Sequence, residues 1–96
     1  MSRLRERVEE HQVEILDIAA RNNALDIKIF GSVAKGLDGD KSDVDFLVVM
    51  AEGSSLFDLG GIQFALSELL GVDVDVISEG SLKARDAHIL DEAIPL

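Results

Sequence analysis

The chain contains no cysteine and only two histidines, His11 and His88, which lie far apart in the sequence. Without cysteine there can be no disulfide framework and no thiolate zinc site, and two distant imidazoles are a weak basis for a histidine zinc site. Any catalytic metal is therefore expected to be held mainly by oxygen ligands.

Basic residues are also scarce, since nine lysines and arginines accompany nineteen aspartates and glutamates and the net charge is −10. A field of this sign repels a polyanionic backbone and forfeits the counterion release that drives binding to phosphates. Direct binding of DNA or RNA is not expected, whereas cations and basic protein surfaces are favoured as partners.

Long apolar runs are absent. The longest wholly apolar run, Phe46–Ala51, is far shorter than the roughly 18 residues of a membrane span. The charged, amphipathic start from Ser2 lacks the apolar centre of a signal peptide. We therefore expect no membrane association and a cytoplasmic location. The length of 96 residues and the hydrophobic content of 47% predict one domain over residues 1–96.

Hydrophobic spacing predicts alternating helices and strands. The predicted order is a helix over Ser2–Arg21, a strand over about Asp26–Phe30, a brief turn at Val33–Lys35, a strand over Val44–Met50, a helix from Ser55 to Gly71, a strand over Val72–Ile77 and a last helical segment from Ser81 to before Pro95. This α-β-α-β-α-β-α order predicts an α/β domain with a small sheet flanked by helices.

Two carboxylates introduce the second predicted strand. Asp43 and Asp45 lie two positions apart, so a strand directs both to one face. Mg²⁺ prefers oxygen ligands and usually shares a few carboxylates with substrate phosphates. A third carboxylate, Asp73 or Asp75, can join the pair if the third strand packs beside the second. Three close carboxylates repel one another unless a cation neutralises them, so the pattern favours a divalent-metal site.

A glycine turn lies ten residues before the acidic pair. Gly31 and Ser32 follow the first predicted strand, and the glycine makes the backbone permissive there. A following helical turn offers free N–H groups to an anion, to which Ser32 adds a hydroxyl. The turn and the acidic pair together predict a site for phosphate and divalent metal.

These motifs are similar to those of a known superfamily. Gly31-Ser32, ten residues and then Asp43-Val44-Asp45 resemble the signature of the DNA polymerase beta-like nucleotidyltransferases. The similarity to its minimal nucleotidyltransferase branch covers nearly the whole chain after Asp26. It also includes Ser42–Val48, Leu70-Gly71, Val74–Ile77 and the ending Ile89–Leu96.

The resemblance implies a mixed three-stranded sheet that binds ATP with two Mg²⁺ ions and transfers the nucleotidyl group to a hydroxyl, with release of pyrophosphate. It matches Gly31 and Ser32 to the triphosphate-binding turn and Asp43 and Asp45 to the metal-bridging pair. Lys35 lies where many members have arginine and is a candidate phosphate contact.

The resemblance also favours one of the two candidates for the third carboxylate. The family places this acid, which helps to hold metal and activate the acceptor, inside an apolar-Asp-apolar-apolar run after Leu-Gly. The run Val74–Ile77 reproduces that pattern, so Asp75 is preferred and Asp73 is its rival.

Many minimal members are antitoxins that attach AMP to a tyrosine of a small helical HEPN-type toxin ribonuclease. The resemblance thus implies a protein adenylyltransferase with such a toxin as partner, in a homo- or hetero-oligomer. Two alternatives stay open from the sequence: a non-catalytic module that neutralises a partner by contact, and an enzyme that transfers nucleotides to a small molecule.

Overall fold

The computed structural model describes residues 3–36 and 43–96 and contains a four-stranded mixed sheet. In chain order the elements are α1 (Arg3–Glu10), α2 (Gln12–Arg21), β1 (Ala24–Phe30), α3 (Gly31–Lys35), β2 (Val44–Met50), α4 (Leu56–Leu70), β3 (Val74–Ser78), two 3₁₀ turns (Glu79–Ser81 and Ala84–Asp86), α5 (Ala87–Glu92) and β4 (Ile94–Pro95). The strands lie in the order β3-β2-β1-β4.

The pairing of the strands brings the end of β1 and the starts of β2 and β3 to the same end of the sheet. β1 runs antiparallel to β2, so the end of β1 lies beside the start of β2. β3 runs parallel to β2 after the α4 crossover, so the two strands start at the same end of the sheet. β4 closes the other edge by pairing antiparallel with β1. The site predicted from the sequence lies at this shared end.

Helices α1, α2 and α4 cover one face of the sheet. Alternate residues of β2 are fully buried there because successive side chains of a strand point to opposite faces. The core of this face contains Val8, Ile15, Ile27, Ile29, Val44, Phe46, Val48, Ile62, Leu66 and Leu70.

The segment after β3 covers the opposite face. Phe30 and Leu47 lie on that face, outside the helical core cluster, and are only 8% and 2% exposed. The first 3₁₀ turn contacts β2, α5 contacts α3, and β4 then joins the far edge of the sheet. Residues 79–93 therefore cross the sheet from one edge to the other.

The prediction of an α/β sheet flanked by helices is confirmed, but the predicted number of three strands is wrong. Ile94 and Pro95 form the fourth strand by pairing with Ile29 and Lys28. Two residues are too short to show a strand period in the sequence, and proline is tolerated there because the strand lies at the sheet edge.

The first predicted helix is also two helices, which separate at His11. The Arg5 Nη1 atom donates to the Ala34 carbonyl at 2.8 Å, and the Arg7 Nη1 atom donates to the Leu70 carbonyl at 2.9 Å. These carbonyls lie in the last turns of α3 and α4, so long-range contacts fix the direction of α1. The helical spacing of apolar residues in the sequence does not predict these contacts.

Other boundaries differ by smaller amounts. The last helical segment begins as two 3₁₀ turns and becomes α-helical only at Ala87, the brief turn at residues 33–35 is the helix α3, and the third strand begins at Val74. The second strand and the Ser55 start of the long helix are confirmed, and the Ser55 N–H donates to Asp58 Oδ2 at 3.0 Å in a capping box. In the described ranges no helix combines the length and apolar character needed to cross a membrane.

Candidate active site

Strand register places the acidic residues side by side at one end of the sheet. Asp45 is paired with Phe30 of β1 on one side and with Asp75 of β3 on the other. Neighbouring strands lie about 4.8 Å apart, so Asp45 and Asp75 are adjacent on one face. Asp43 immediately precedes β2 and is exposed to solvent. The structure thus brings together the three carboxylates that the sequence predicted.

Gly31 allows the Asp45 carboxylate to lie against the backbone. Gly31 has φ +74°, in the left-handed region, and a Cβ atom placed on it would lie 2.5 Å from Asp45 Oδ2. A Cβ atom there would force the Asp45 carboxylate to move. Glycine is favoured here for two reasons, the turn and the close approach of the carboxylate, and the second could not be inferred from the sequence.

The environment of Asp45 disfavours its charge. Burial raises the pKa of the Asp45 carboxyl above its ordinary value of 3.8, and the negative charges of Asp75 and Asp43 raise it further. Like charges that share a site oppose ionisation unless a cation neutralises them. The charges of Asp43 and Asp75 therefore act electrostatically on Asp45, and a cation beside Asp45 is favoured.

Asp73 differs from Asp75 in its position. Its backbone carbonyl accepts a hydrogen bond from the Val44 N–H at 3.1 Å, which ties the start of β2 to the residue before β3. Its charge is not among the causes of the raised pKa of Asp45, whereas that of Asp75 is. The geometry therefore favours Asp75 as the third carboxylate, although the catalytic role of Asp75 stays a prediction.

The donor set fits Mg²⁺ in its chemistry. Asp43, Asp45 and Asp75 supply oxygen atoms, and a bound cation would offset the like charges of Asp75 and Asp43 at Asp45. Among residues 3–36 and 43–96, no three histidine, aspartate or glutamate side chains are close enough to hold a metal ion by themselves. Oxygen atoms of a bound triphosphate would have to complete the coordination, as is usual for Mg²⁺.

The predicted phosphate contacts lie on the β1 side of the carboxylates. Ser32 is in the first turn of the short helix α3 and is partly exposed. Lys35, at the end of α3, forms an ion pair with Glu92 of α5, with 2.9 Å between Nζ and Oε1. The sequence did not indicate this partner. Lys35 as a phosphate ligand stays a prediction, and it requires the lysine to leave Glu92.

A cleft of about 580 Å³ opens on the β3 side of the carboxylates. It is lined by Asp43, Gly60, Gln63, Phe64, Ser67, Asp73, Val74 and Asp75. Sequence reasoning did not assign its α4 residues to the site. The one available signal was the pair Gly60-Gly61, because a glycine inside a helix costs about 1 kcal/mol relative to alanine.

The chain matches the family model described as the nucleotidyltransferase domain over residues 3–94. The match covers nearly the whole chain, and the chain belongs to this family. The fold described above is therefore that of a nucleotidyltransferase domain.

Curated relatives agree with this assignment. The chain is 37% identical to a putative protein adenylyltransferase of Methanocaldococcus jannaschii over 89 residues, which are 91% of this chain and 95% of the relative. It is 35% identical to the protein adenylyltransferase MntA of Thermococcus cleftensis, over 81% of this chain and 80% of that protein.

Solved structures share the fold. One described as a putative minimal nucleotidyltransferase has 40% sequence identity and a TM-score of 0.87, with 100% of this chain and 97% of that chain covered. A Shewanella oneidensis complex of a tri-AMPylated HEPN toxin with an MNT antitoxin has a TM-score of 0.68 at 18% identity, with 91% of this chain and 69% of that chain covered. At that identity, the second likeness concerns the fold alone.

The similarity to minimal nucleotidyltransferases predicted from the motifs is thereby confirmed, and so is the prediction of a nucleotidyltransferase.

Proposed function

We propose that this chain is a Mg²⁺-dependent protein adenylyltransferase that transfers AMP from ATP to a tyrosine hydroxyl of a small helical HEPN-type toxin in the cytoplasm, and so acts as an antitoxin. The observation that carries the proposal is the register of Asp45, which lies against Gly31 and beside Asp75. The names of the two curated relatives support the choice of a protein as acceptor.

Each residue has a definite role in this reaction. Gly31 and Ser32 bind the triphosphate at the end of β1, and Lys35 reaches its phosphates when it leaves Glu92. Asp43 and Asp45, together with Asp75, would hold Mg²⁺, which when bound neutralises the charge of the triphosphate and of the departing pyrophosphate. Asp75 accepts the proton of the attacking hydroxyl. Positioning and charge neutralisation do most of the catalytic work.

The composition supports an acceptor on another molecule. The chain contains no tyrosine, so it has no phenolic hydroxyl of its own to modify. Its net charge of −10 favours association with a basic partner surface through complementary potentials.

The test is intact-mass spectrometry of the protein encoded next to this chain after incubation with the chain, ATP and Mg²⁺. We expect the neighbour to gain the mass of one or more AMP groups on tyrosine, and Asp43→Asn or Asp45→Asn to prevent the gain. Asp75→Asn should abolish transfer with little loss of ATP binding, while Asp73→Asn, its matched control, transfers normally. A tight complex that silences the neighbour without modifying it would replace the proposal with neutralisation by contact.

A further inference from the structure

Helix α4 exposes two of the four phenylalanines of the chain on the side that faces away from the sheet. Phe57 is 91% exposed and Phe64 is 69% exposed. Gly60 and Gly61 lie between them, so these four residues have positions i, i+3, i+4 and i+7 and form one line along the helix, which we call the α4 stripe. Large apolar side chains that stay in water forgo the free energy of burial, and such surfaces mark interaction sites.

The glycines leave room along the stripe for another backbone. A Cβ atom on Gly60 would meet nothing within 4 Å, and the residue has no positive φ. Neither turn geometry nor packing among the described residues explains Gly60, although a glycine inside a helix costs about 1 kcal/mol relative to alanine. Gly61 is different, because a Cβ there would lie 2.7 Å from Asn22 Oδ1. The distance between packed helices depends on the side chains at the contact, so a glycine at the centre lets a second helix approach closely.

The residues of the stripe have the same order in both directions. Two positions separate Phe57 from Gly60, and two separate Gly61 from Phe64. A two-fold axis through the midpoint of the two glycines places a second α4 antiparallel to the first. Phe57 of each copy then meets Phe64 of the other, and the glycines meet at the crossing. A two-fold interface requires a self-complementary patch of this kind, and aromatic pairs are favoured across it.

The charges of α4 agree with antiparallel pairing. The helix carries two acidic residues, Asp58 and Glu68, and no basic one. About the same axis, Asp58 lies at the level of Gln63 of the second copy, and Glu68 lies at the level of Gly53, just before the second helix begins. A negative charge near a helix N-terminus is favourable. In a parallel pair, by contrast, each acid would meet its own copy.

The neighbouring helix extends the apolar surface, and the carboxylates stay clear of it. α2 packs beside α4 on the same face of the sheet, and its Val13, two positions from buried Ile15, is 76% exposed. Asp45 pairs directly with Phe30, whose side chain lies on the opposite face of the sheet. Contact through the α4 stripe therefore leaves the carboxylates of both copies accessible.

We infer that the α4 stripe is a homodimer interface, in which a second copy of this chain packs antiparallel across the midpoint of Gly60 and Gly61. The inference is independent of the proposed function, because the stripe and the carboxylates lie on opposite faces of the sheet. Apolar contact must overcome the mutual repulsion of two chains that each carry a net charge of −10. Salt screens this repulsion, so the dimer tightens as salt rises, whereas a complex with a basic partner protein weakens.

Sedimentation equilibrium of the full chain tests the interface. We expect the mass to rise with concentration from 10.4 kDa toward twice that value, with more dimer at high salt than at low salt. Phe64→Glu should raise the dissociation constant of the dimer by at least about tenfold, because the two-fold symmetry removes both ring pairs at once. Leu90→Glu is the matched control, since it adds the same charge at an exposed position of α5 on the other face and should leave the dimer unchanged.

Cysteine cross-linking tests the antiparallel register, because the chain has no cysteine of its own. Phe57→Cys and Phe64→Cys should form a disulfide when the two variants are mixed and oxidised, since these positions face each other. Neither variant should cross-link alone. Identical positions lie seven residues apart along the paired helices, about 10 Å, which is beyond the reach of a disulfide.

The outcomes are distinct from those of the transfer assay, because none of these measurements uses ATP. A chain that stays monomeric at every concentration and salt, or a dimer that Phe64→Glu leaves intact, would overturn the inference. Equal cross-linking of either cysteine variant alone would also overturn it. If the encoded neighbour occupies the stripe instead, Phe64→Glu weakens that complex while the chain alone sediments as a monomer, and the homodimer is again wrong.

Discussion

At the scale of single residues, Asp45 has the least favourable position for its charge. In the folded chain its carboxyl pKa lies above the ordinary value of 3.8, because of burial and of the charges of Asp75 and Asp43. The folded state therefore holds the Asp45 proton more tightly than the unfolded state does. Protonation of Asp45 favours folding, and this contribution is lost as pH rises from 3.8 through the raised pKa.

The first prediction follows from that sign. Asp45→Asn should raise the thermal unfolding midpoint of the metal-free chain at neutral pH, because the amide carries no charge to desolvate. The gain should disappear as pH falls below 3.8, where Asp45 is protonated in both states. Calorimetric scans in chelator across this range measure the difference. A variant that melts at or below the midpoint of the original chain at neutral pH would contradict the prediction.

The second prediction compares two glycines with nearly the same positive φ angle. Gly31 has φ +74° and Gly36 has φ +72°, but only at Gly31 would a Cβ meet another group, Asp45 Oδ2. Gly36→Ala should cost about 1–2 kcal/mol of folding free energy through φ strain alone. Gly31→Ala should cost more and should also abolish the gain in ATP affinity from Mg²⁺, measured by titration calorimetry. Equal losses of affinity in the two variants would remove the argument that Gly31 makes room for the carboxylate.

The third prediction concerns Lys35, whose ion pair with Glu92 competes with its predicted phosphate contact. Lys35→Ala should weaken ATP binding, whereas Glu92→Gln, which frees the lysine, should not. Each change should cost at most about 1 kcal/mol of stability, because the pair is partly exposed to solvent. If the two variants alter ATP affinity alike, Lys35 is a structural contact and no phosphate ligand.

Sequence reasoning reached some of these residues and missed others for physical reasons. The spacing of Asp43 and Asp45 fixed their shared face because a strand has a period of two. The neighbours of Gly31 and Lys35 lie 14 and 57 positions further along the chain, at Asp45 and Glu92, and no local pattern encodes such contacts. The cleft beside Asp75 depends in the same way on the packing of α4 beside the start of β3.

At the scale of elements, α4 has one buried face and one exposed face. Its inner face buries Ile62, Leu66 and Leu70 against the sheet, and its outer face carries exposed Phe57 and Phe64. The helix also connects the parallel strands β2 and β3, so its packing sets the register that aligns Asp45 with Asp75.

The fourth prediction separates the two faces. Leu66→Ala should cost about 2–5 kcal/mol of unfolding free energy, because it opens a cavity at a fully buried position. Phe64→Ala, at an exposed position, should change stability by less than about 0.5 kcal/mol. Urea denaturation of both variants measures the contrast. A large loss in Phe64→Ala would mean that the ring packs into the fold instead of lying exposed on its surface.

The elements that the sequence predicted well are those with a sustained apolar pattern. β2 contains a continuous apolar run from Phe46, and α4 has a capping box and several turns of apolar spacing. The break at His11, the 3₁₀ turns and the two-residue β4 are set by tertiary contacts, such as the bonds from Arg5 and Arg7 to distant carbonyls. Local propensity is a weak guide where tertiary context decides.

At the scale of the whole molecule, the strand topology gathers carboxylates at one end of the sheet in a chain whose net charge is already negative. The carboxylates lie at the start of β2 and in β3. Residues 79–93 cross the sheet from the β3 edge to the β4 edge, and the ion pair between Glu92 and Lys35 connects α5 with α3. The net charge of −10 disfavours binding of a further anion unless cations accompany it. We therefore expect ATP to bind together with Mg²⁺ and the acceptor to come from a partner of complementary charge.

The most direct test of this account identifies which phosphate of ATP reaches the partner. The chain, its encoded neighbour and Mg²⁺ are incubated with ATP labelled either at the α-phosphate or at the γ-phosphate, and the neighbour is then isolated. We predict that the α-label becomes bound to the neighbour, that the γ-label leaves as pyrophosphate, and that Asp45→Asn transfers neither. Transfer of the γ-label, or a neighbour that stays unlabelled in a stable complex, would contradict nucleotidyl transfer by these carboxylates.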